Sequence, residues 1–271
     1  MQTEKKQLSI RILVIVTFIA MVVINALANI LPINGIGSGE VSDLYANLFA
    51  PAGITFTIWS LIYVLLGTFS IYQLGVFQKE PDKMPNTLLN EIGLYFSLSS
   101  IANFSWIFAW HYQIIWLSLI LMFVIFALLA LIYMRIWQAT KTNTLTMSEQ
   151  WFIRLPFSVY FGWITIATIA NIITFLVSIG FTGFGVAESV WMIIIVLVGM
   201  LIGGATIFLH RDAAYGLVLI WAYVGIIIKH MSANGFNNAY PEVIWTVSGA
   251  LVVLSLLVLY SLYTMFFSKK S

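Results

Sequence analysis

Apolar residues in this chain come in long runs, and the polar residues are gathered between them. The runs cover roughly residues 9–31, 53–77, 88–110, 114–138, 150–179, 188–209, 213–230 and 242–267. A bilayer core takes about 20 apolar residues of helix, so the pattern predicts an all-α, polytopic membrane bundle of about eight transmembrane helices. The seventh run is the shortest, close to the lower limit for spanning. The fifth contains Pro156, which predicts a kink or an interfacial start there. Ser148, with Glu149 nearby, reads as the start of that helix. Lys5, Lys6 and Arg11 precede the first run, and Ala26-Leu27-Ala28 resembles a cleavage site. That run is longer than a signal h-region of about 7–15 residues, so it is expected to be a retained span.

Charge adds an orientation. With the N-terminus inside, Lys5, Lys6, Arg11, Lys79, Lys83, Arg135, Lys141, Arg154, Arg211, Lys269 and Lys270 fall on the cytoplasmic side, and only Lys229 falls outside. This eleven-to-one split predicts cytoplasmic termini, which also requires an even number of spans. Composition agrees: 61% of the 271 residues are hydrophobic, 8% are charged and the mean hydropathy is +1.00, against about 25% charged residues in soluble domains. With no cysteine there is no disulfide, thiolate metal site or cysteine nucleophile. A net charge of +2 gives no footing for nucleic acid.

Candidate chemistry lies in three aromatic stripes. Pro51 stands near the first turn of the second run, where its missing N–H costs nothing. Trp59, Tyr63 and Gly67 then recur every fourth residue. In the third run Asn103, Trp106 and Trp110 are spaced i, i+3, i+7. In the fifth, Tyr160, Trp163, Ala167 and Asn171 are spaced i, i+3, i+7, i+11. Each set shares one helix face. An Asn inside an apolar span needs a partner. Asn103 and Asn171 are therefore either interhelical glue worth about 1 kcal/mol or groups that orient a ligand among aromatic rings. His111 has two readings as well, an interfacial residue or an axial ligand to a haem-like ring. Trp116, Trp137, Trp151, Trp191 and Trp245 lie near run ends as interfacial anchors, and Trp221 is deeper, as a packing residue. Gly199-x-x-x-Gly203-Gly204 offers a small-residue face for helix contact. No ionisable residue falls at mid-depth, which argues against a proton-coupled pump. No phosphate-cradling loop or nucleophile–base pair is found, which argues against a hydrolase or ATPase.

These stripes resemble the TspO/MBR family, the tryptophan-rich sensory proteins related to the mitochondrial translocator protein. That family has a long loop after its first helix, then a proline and W-x-x-x-Y-x-x-x-G, matched by Pro51, Trp59, Tyr63 and Gly67. Its third helix carries N-x-x-W and a further aromatic, matched by Asn103, Trp106 and Trp110. Its fifth carries P-Y-x-x-W-x-x-x-A-T-x-x-N, matched by Tyr160, Trp163, Ala167, Thr168 and Asn171. Val159 stands where the family has the proline, and Phe56 is one position out of register. The resemblance covers residues 9–179, implying a five-helix bundle over 1–180 and an additional three-helix segment over 181–271.

The resemblance further implies a membrane-embedded binding or sensory protein for a porphyrin-like tetrapyrrole or a sterol-like lipid. Pro51, Trp59, Tyr63, Asn103, Trp106, Trp110, Tyr160, Trp163, Ala167 and Asn171 would line its site, and the Pro32–Ala50 loop would cover it. Porphyrin or haem is expected as ligand, not as a resident cofactor, and no residue demands an enzymatic role. The alternative is a permease or channel component for a small hydrophobic solute. The expected partners are membrane lipid and a hydrophobic small molecule, with a homodimer left open. The expected location is a bacterial plasma membrane.

Overall fold

The computed structural model describes residues 2–31, 33–78, 84–142 and 145–267. Among them are eight helices long and apolar enough to cross a membrane, and no strand. Their main α-helical elements are α1 (Gln2–Ile30), α2 (Ile58–Gln73), α3 (Asn86–His111), α4 (Ile115–Thr142), α5 (Leu155–Ser178), α6 (Glu188–His210), α7 (Ala213–Met231) and α8 (Pro241–Phe267), the second span starting already at Gly53 and the fifth at Met147. Most ends fall within a few residues of the hydropathy runs. Lys79, Lys83, Lys269, Lys270 and Pro32 lie outside the described residues, as does part of each short connection around Glu80–Lys83 and Asn143.

The chain forms two compact units. The first comprises Met1–Ser38 and Ile58–Phe161, the second Gly39–Thr57 and Gly162–Ser271. In the first unit α1 packs on α2 and α3, and α3 packs on α4. The buried positions of α1 are Ile10, Val14, Thr17, Met21, Asn25 and Ala28. They step by three or four and so form one stripe. Leu8, Ile12, Val16, Ile19 and Val23 are exposed on its other faces, as a lipid-facing surface requires. Gly93 permits the close approach of α1 and α2 to α3. A Cβ there would lie 2.5 Å from the Gln73 amide nitrogen and 3.1 Å from Ile10. Phe69, Phe96 and Phe157 form an aromatic knot with centroids 4.7–5.8 Å apart. Each such pair is worth about 0.5–1.5 kcal/mol beyond its area.

The fifth span begins differently from the sequence expectation. Thr146, not Ser148, is the cap: its hydroxyl accepts from Glu149 N–H at 3.2 Å, and the Glu149 carboxylate accepts from Thr146 N–H at 2.7 Å. A capping box needs its Glu three residues after the cap. Ser148 stands directly before Glu149 and cannot supply that spacing. The irregularity expected at Pro156 takes the form of a π-helical turn over Gln150–Arg154, with Leu155 N–H reaching the Gln150 carbonyl. A wide turn there accommodates the proline, which has no N–H to give and crowds the carbonyl four residues back.

In the second unit α8 packs on both α6 and α7. The small-residue face of α6 is used for helix contact, with Gly199 against Tyr223, Gly203 against Leu219 and Gly204 against Leu257. Arg211, left-handed at φ 49°, ends α6, and Asp212 caps α7 by accepting from Tyr215 N–H at 3.1 Å. A two-residue link thus reverses the chain.

Candidate ligand site

The polar centre of the first unit is a chain of side chains contributed by three helices. Asn25 on α1 donates through Nδ2 to Asn103 Oδ1 at 2.9 Å, and Asn103 Nδ2 donates to the Tyr160 hydroxyl at 3.0 Å. All three residues are buried. The Asn103 amide is therefore engaged at both ends, which satisfies in the protein interior the groups that lipid could not. Asn25 lies outside the three aromatic stripes, in the first apolar run. Its one available signal was the pair Asn25 and Asn29, one turn apart in an otherwise apolar run.

Aromatic rings surround this chain. Tyr160 meets Trp59 edge-on at 5.9 Å, and Trp59 stacks on Tyr63 at 5.5 Å and 22°. One turn beyond Asn103, Trp106 stacks on Trp110 at 5.3 Å and 18°. Trp110 donates its indole N–H to the Ser38 carbonyl at 3.0 Å. The Trp106 indole N–H is buried, and among the described residues it has no hydrogen-bond partner. A buried donor of this kind is uncommon in a native fold.

His111 closes the C-terminal end of α3. Its Nδ1 faces the Ile33 carbonyl at 3.1 Å, and its Nε2 faces the Ser38 hydroxyl at 2.8 Å. A carbonyl only accepts, so in the neutral ring Nδ1 carries the proton and Nε2 accepts from Ser38. The Asn34 side chain also donates to the His111 carbonyl at 3.1 Å. Both ring nitrogens thus bind the loop, and an axial role would require one of these bonds to break. Among the described residues no cluster of His, Asp and Glu suits a metal ion.

The remaining candidates belong to the second unit. Trp163 is buried and meets Phe56 edge-on at 5.9 Å. Phe56, out of register with the family pattern, still supplies an aromatic partner. Asn171 is buried on the same stripe, and Ala167 between them is half-buried. Pro51 is half-buried in a segment held by α7, where the next residue, Ala52, donates its N–H to the Gly225 carbonyl at 3.0 Å. Of the tryptophans expected as anchors, Trp116, Trp151 and Trp245 are exposed. Trp191 instead donates to the Gly183 carbonyl at 2.9 Å, and Trp137 lies under the Lys141 ammonium at 3.5 Å.

No curated protein and no solved structure matches the chain. A family model does match, that of the TSPO-like proteins, over residues 11–260. The match takes in the three stripes and extends through the last three spans. With its eight apolar helices and the tryptophan–tyrosine–asparagine stripes on the second, third and fifth of them, the chain is an integral membrane protein that belongs to the TSPO-like protein family.

Proposed function

We propose that this protein binds a flat hydrophobic ligand of the porphyrin or sterol class within the membrane, as a sensor or receptor rather than a pump. The observation that carries the reading is the Trp106 indole N–H, a buried donor without a partner, beside the Trp110 ring and one turn from the Asn103–Tyr160 pair. Such a donor is suited to a carboxylate or carbonyl at the edge of a ligand whose face lies on aromatic rings. Trp59 and Tyr63 extend the aromatic surface around the same pair. Titrating the purified protein with protoporphyrin IX should give saturable quenching of tryptophan emission, and proteoliposomes should show no protein-dependent porphyrin uptake. Uptake without saturable binding would favour the permease reading instead.

Ala167 provides a sharper test. It lies one turn from both Trp163 and Asn171 on the same helix face. Ala167→Phe should weaken porphyrin binding at least tenfold while lowering the thermal midpoint little. If the residue serves only helix contact, phenylalanine overpacks the bundle at a cost of about 1–3 kcal/mol. The midpoint then drops with affinity intact, and Ala167 leaves the site.

The proposed orientation places both termini and the segment around Lys141 in the cytoplasm, on the strength of the Lys/Arg asymmetry. A single cysteine at Asn143 in this cysteine-free chain should react with an impermeant maleimide only after the cells are permeabilised. Reaction in intact cells would invert the orientation.

A further inference from the structure

The segment 39–57 runs along α7 and is fastened to it at four levels. From its outer end, Asp43 pairs with Lys229 at 3.0 Å. The Leu48 carbonyl accepts from His230 Nε2 at 2.9 Å, and Ala52 N–H donates to the Gly225 carbonyl at 3.0 Å. The Thr55 carbonyl accepts from the Trp221 indole at 2.9 Å. As the segment advances from 43 to 55, its partners recede along α7 from 229–230 to 221, so the two run antiparallel. Trp221, Gly225 and Lys229 are spaced i, i+4, i+8, a single stripe. Gly225 is required at its centre, because a Cβ there would meet Thr55, which is wholly buried. Leu48, Phe49 and Ala50 are buried as well, and the Asn47 side chain shapes the bend before Pro51 by accepting from Phe49 N–H at 3.0 Å and Ala50 N–H at 2.9 Å.

We propose that α7 is the seat of this segment, with Trp221, Gly225 and His230 as positioning residues that set the place of Pro51. This gives the C-terminal spans a job: the stripe W-x-x-x-G-x-x-x-K-H reads the backbone of the segment at 48, 52 and 55. Only its outermost tie, the Asp43–Lys229 pair, is a solvent-exposed ion pair of the kind worth little by itself. The attachment therefore rests on the buried hydrogen bonds and on the fit at Gly225.

Hydrogen exchange on the full-length protein in detergent, without ligand, tests the seat. Trp221→Phe keeps the ring and removes the donor, so amides of residues 48–57 should exchange roughly three- to tenfold faster, the loss of one net hydrogen bond. Gly225→Val should accelerate them further. Gly249→Ala, at a position where a Cβ meets nothing within 4 Å, should leave them unchanged. His230→Leu should act as Trp221→Phe does, and His230→Gln, which keeps a donor, should restore protection. Unchanged exchange in both Trp221→Phe and Gly225→Val overturns the seat.

Discussion

Glu149→Ala should lower the stability of the protein by about 2–4 kcal/mol. The carboxylate is fully buried and accepts three hydrogen bonds: from Met84 N–H at 2.5 Å, from Thr146 N–H at 2.7 Å and from the Thr146 hydroxyl at 3.1 Å. Alanine removes the reciprocal half of a capping box, a loss of about 0.5–2 kcal/mol. It also leaves the Met84 N–H without its acceptor, at about 1–3 kcal/mol more. Glu149→Gln separates shape from chemistry. Its amide has one accepting oxygen, so the NH2 group must face one of the N–H donors that the carboxylate now satisfies. Glutamine should therefore recover only part of the loss. Unfolding of the purified variants in detergent gives the comparison. A Glu149→Ala midpoint equal to that of wild type would show that the carboxylate fastens nothing.

Asn103→Leu should cost about 1–2 kcal/mol and should do so chiefly through Tyr160. Asn25 retains its bond to the Met21 carbonyl at 2.8 Å, whereas the Tyr160 hydroxyl loses the amide that donates to it at 3.0 Å. Tyr160→Phe removes the orphaned hydroxyl, so the double variant Asn103→Leu/Tyr160→Phe should be less destabilised than the two singles summed. Coupling of about 0.6 kcal/mol, reaching roughly 1.7, is what such pairs give inside membranes. The same variants weigh the two readings of Asn103. If it is only glue, porphyrin affinity falls in step with stability across the cycle. If it orients the ligand, affinity falls most in the variants lacking the amide, whatever their midpoints. Strict additivity of the two stability changes would dissolve the network.

The spans were legible because lipid imposes one rule on all of them. About 20 consecutive residues must be apolar, and nothing else in a short chain imitates that. The stripes were legible for a related reason, since a large aromatic repeated at helical spacing commits one face. What was not legible depended on partners far away in sequence. Asn25 gave no sign of choosing Asn103 over Met21 alone, 78 residues separating the two asparagines. Thr146 could be told from Ser148 only by weighing the three-residue offset to Glu149, and a nearby serine looked sufficient. Trp221 read as a packing residue, and its indole in fact holds a carbonyl 166 residues earlier. Gly225 carried no signal at all, because a glycine in an apolar run shows its reason only when the group it makes room for is known.

The separation between the 39–57 segment and its seat has a consequence for biosynthesis. Trp221 and His230 follow their partners in the segment by 166 and 182 residues. At synthesis rates of roughly 5–20 residues per second, the segment leaves the ribosome on the order of ten to thirty seconds before the seventh span exists. Throughout that interval the segment has its own Asx turn but none of its four ties to α7. Completion of this part of the protein is thus a late event in translation, and a chain truncated before residue 221 would carry the aromatic stripes without the element that seats the approach to the first of them.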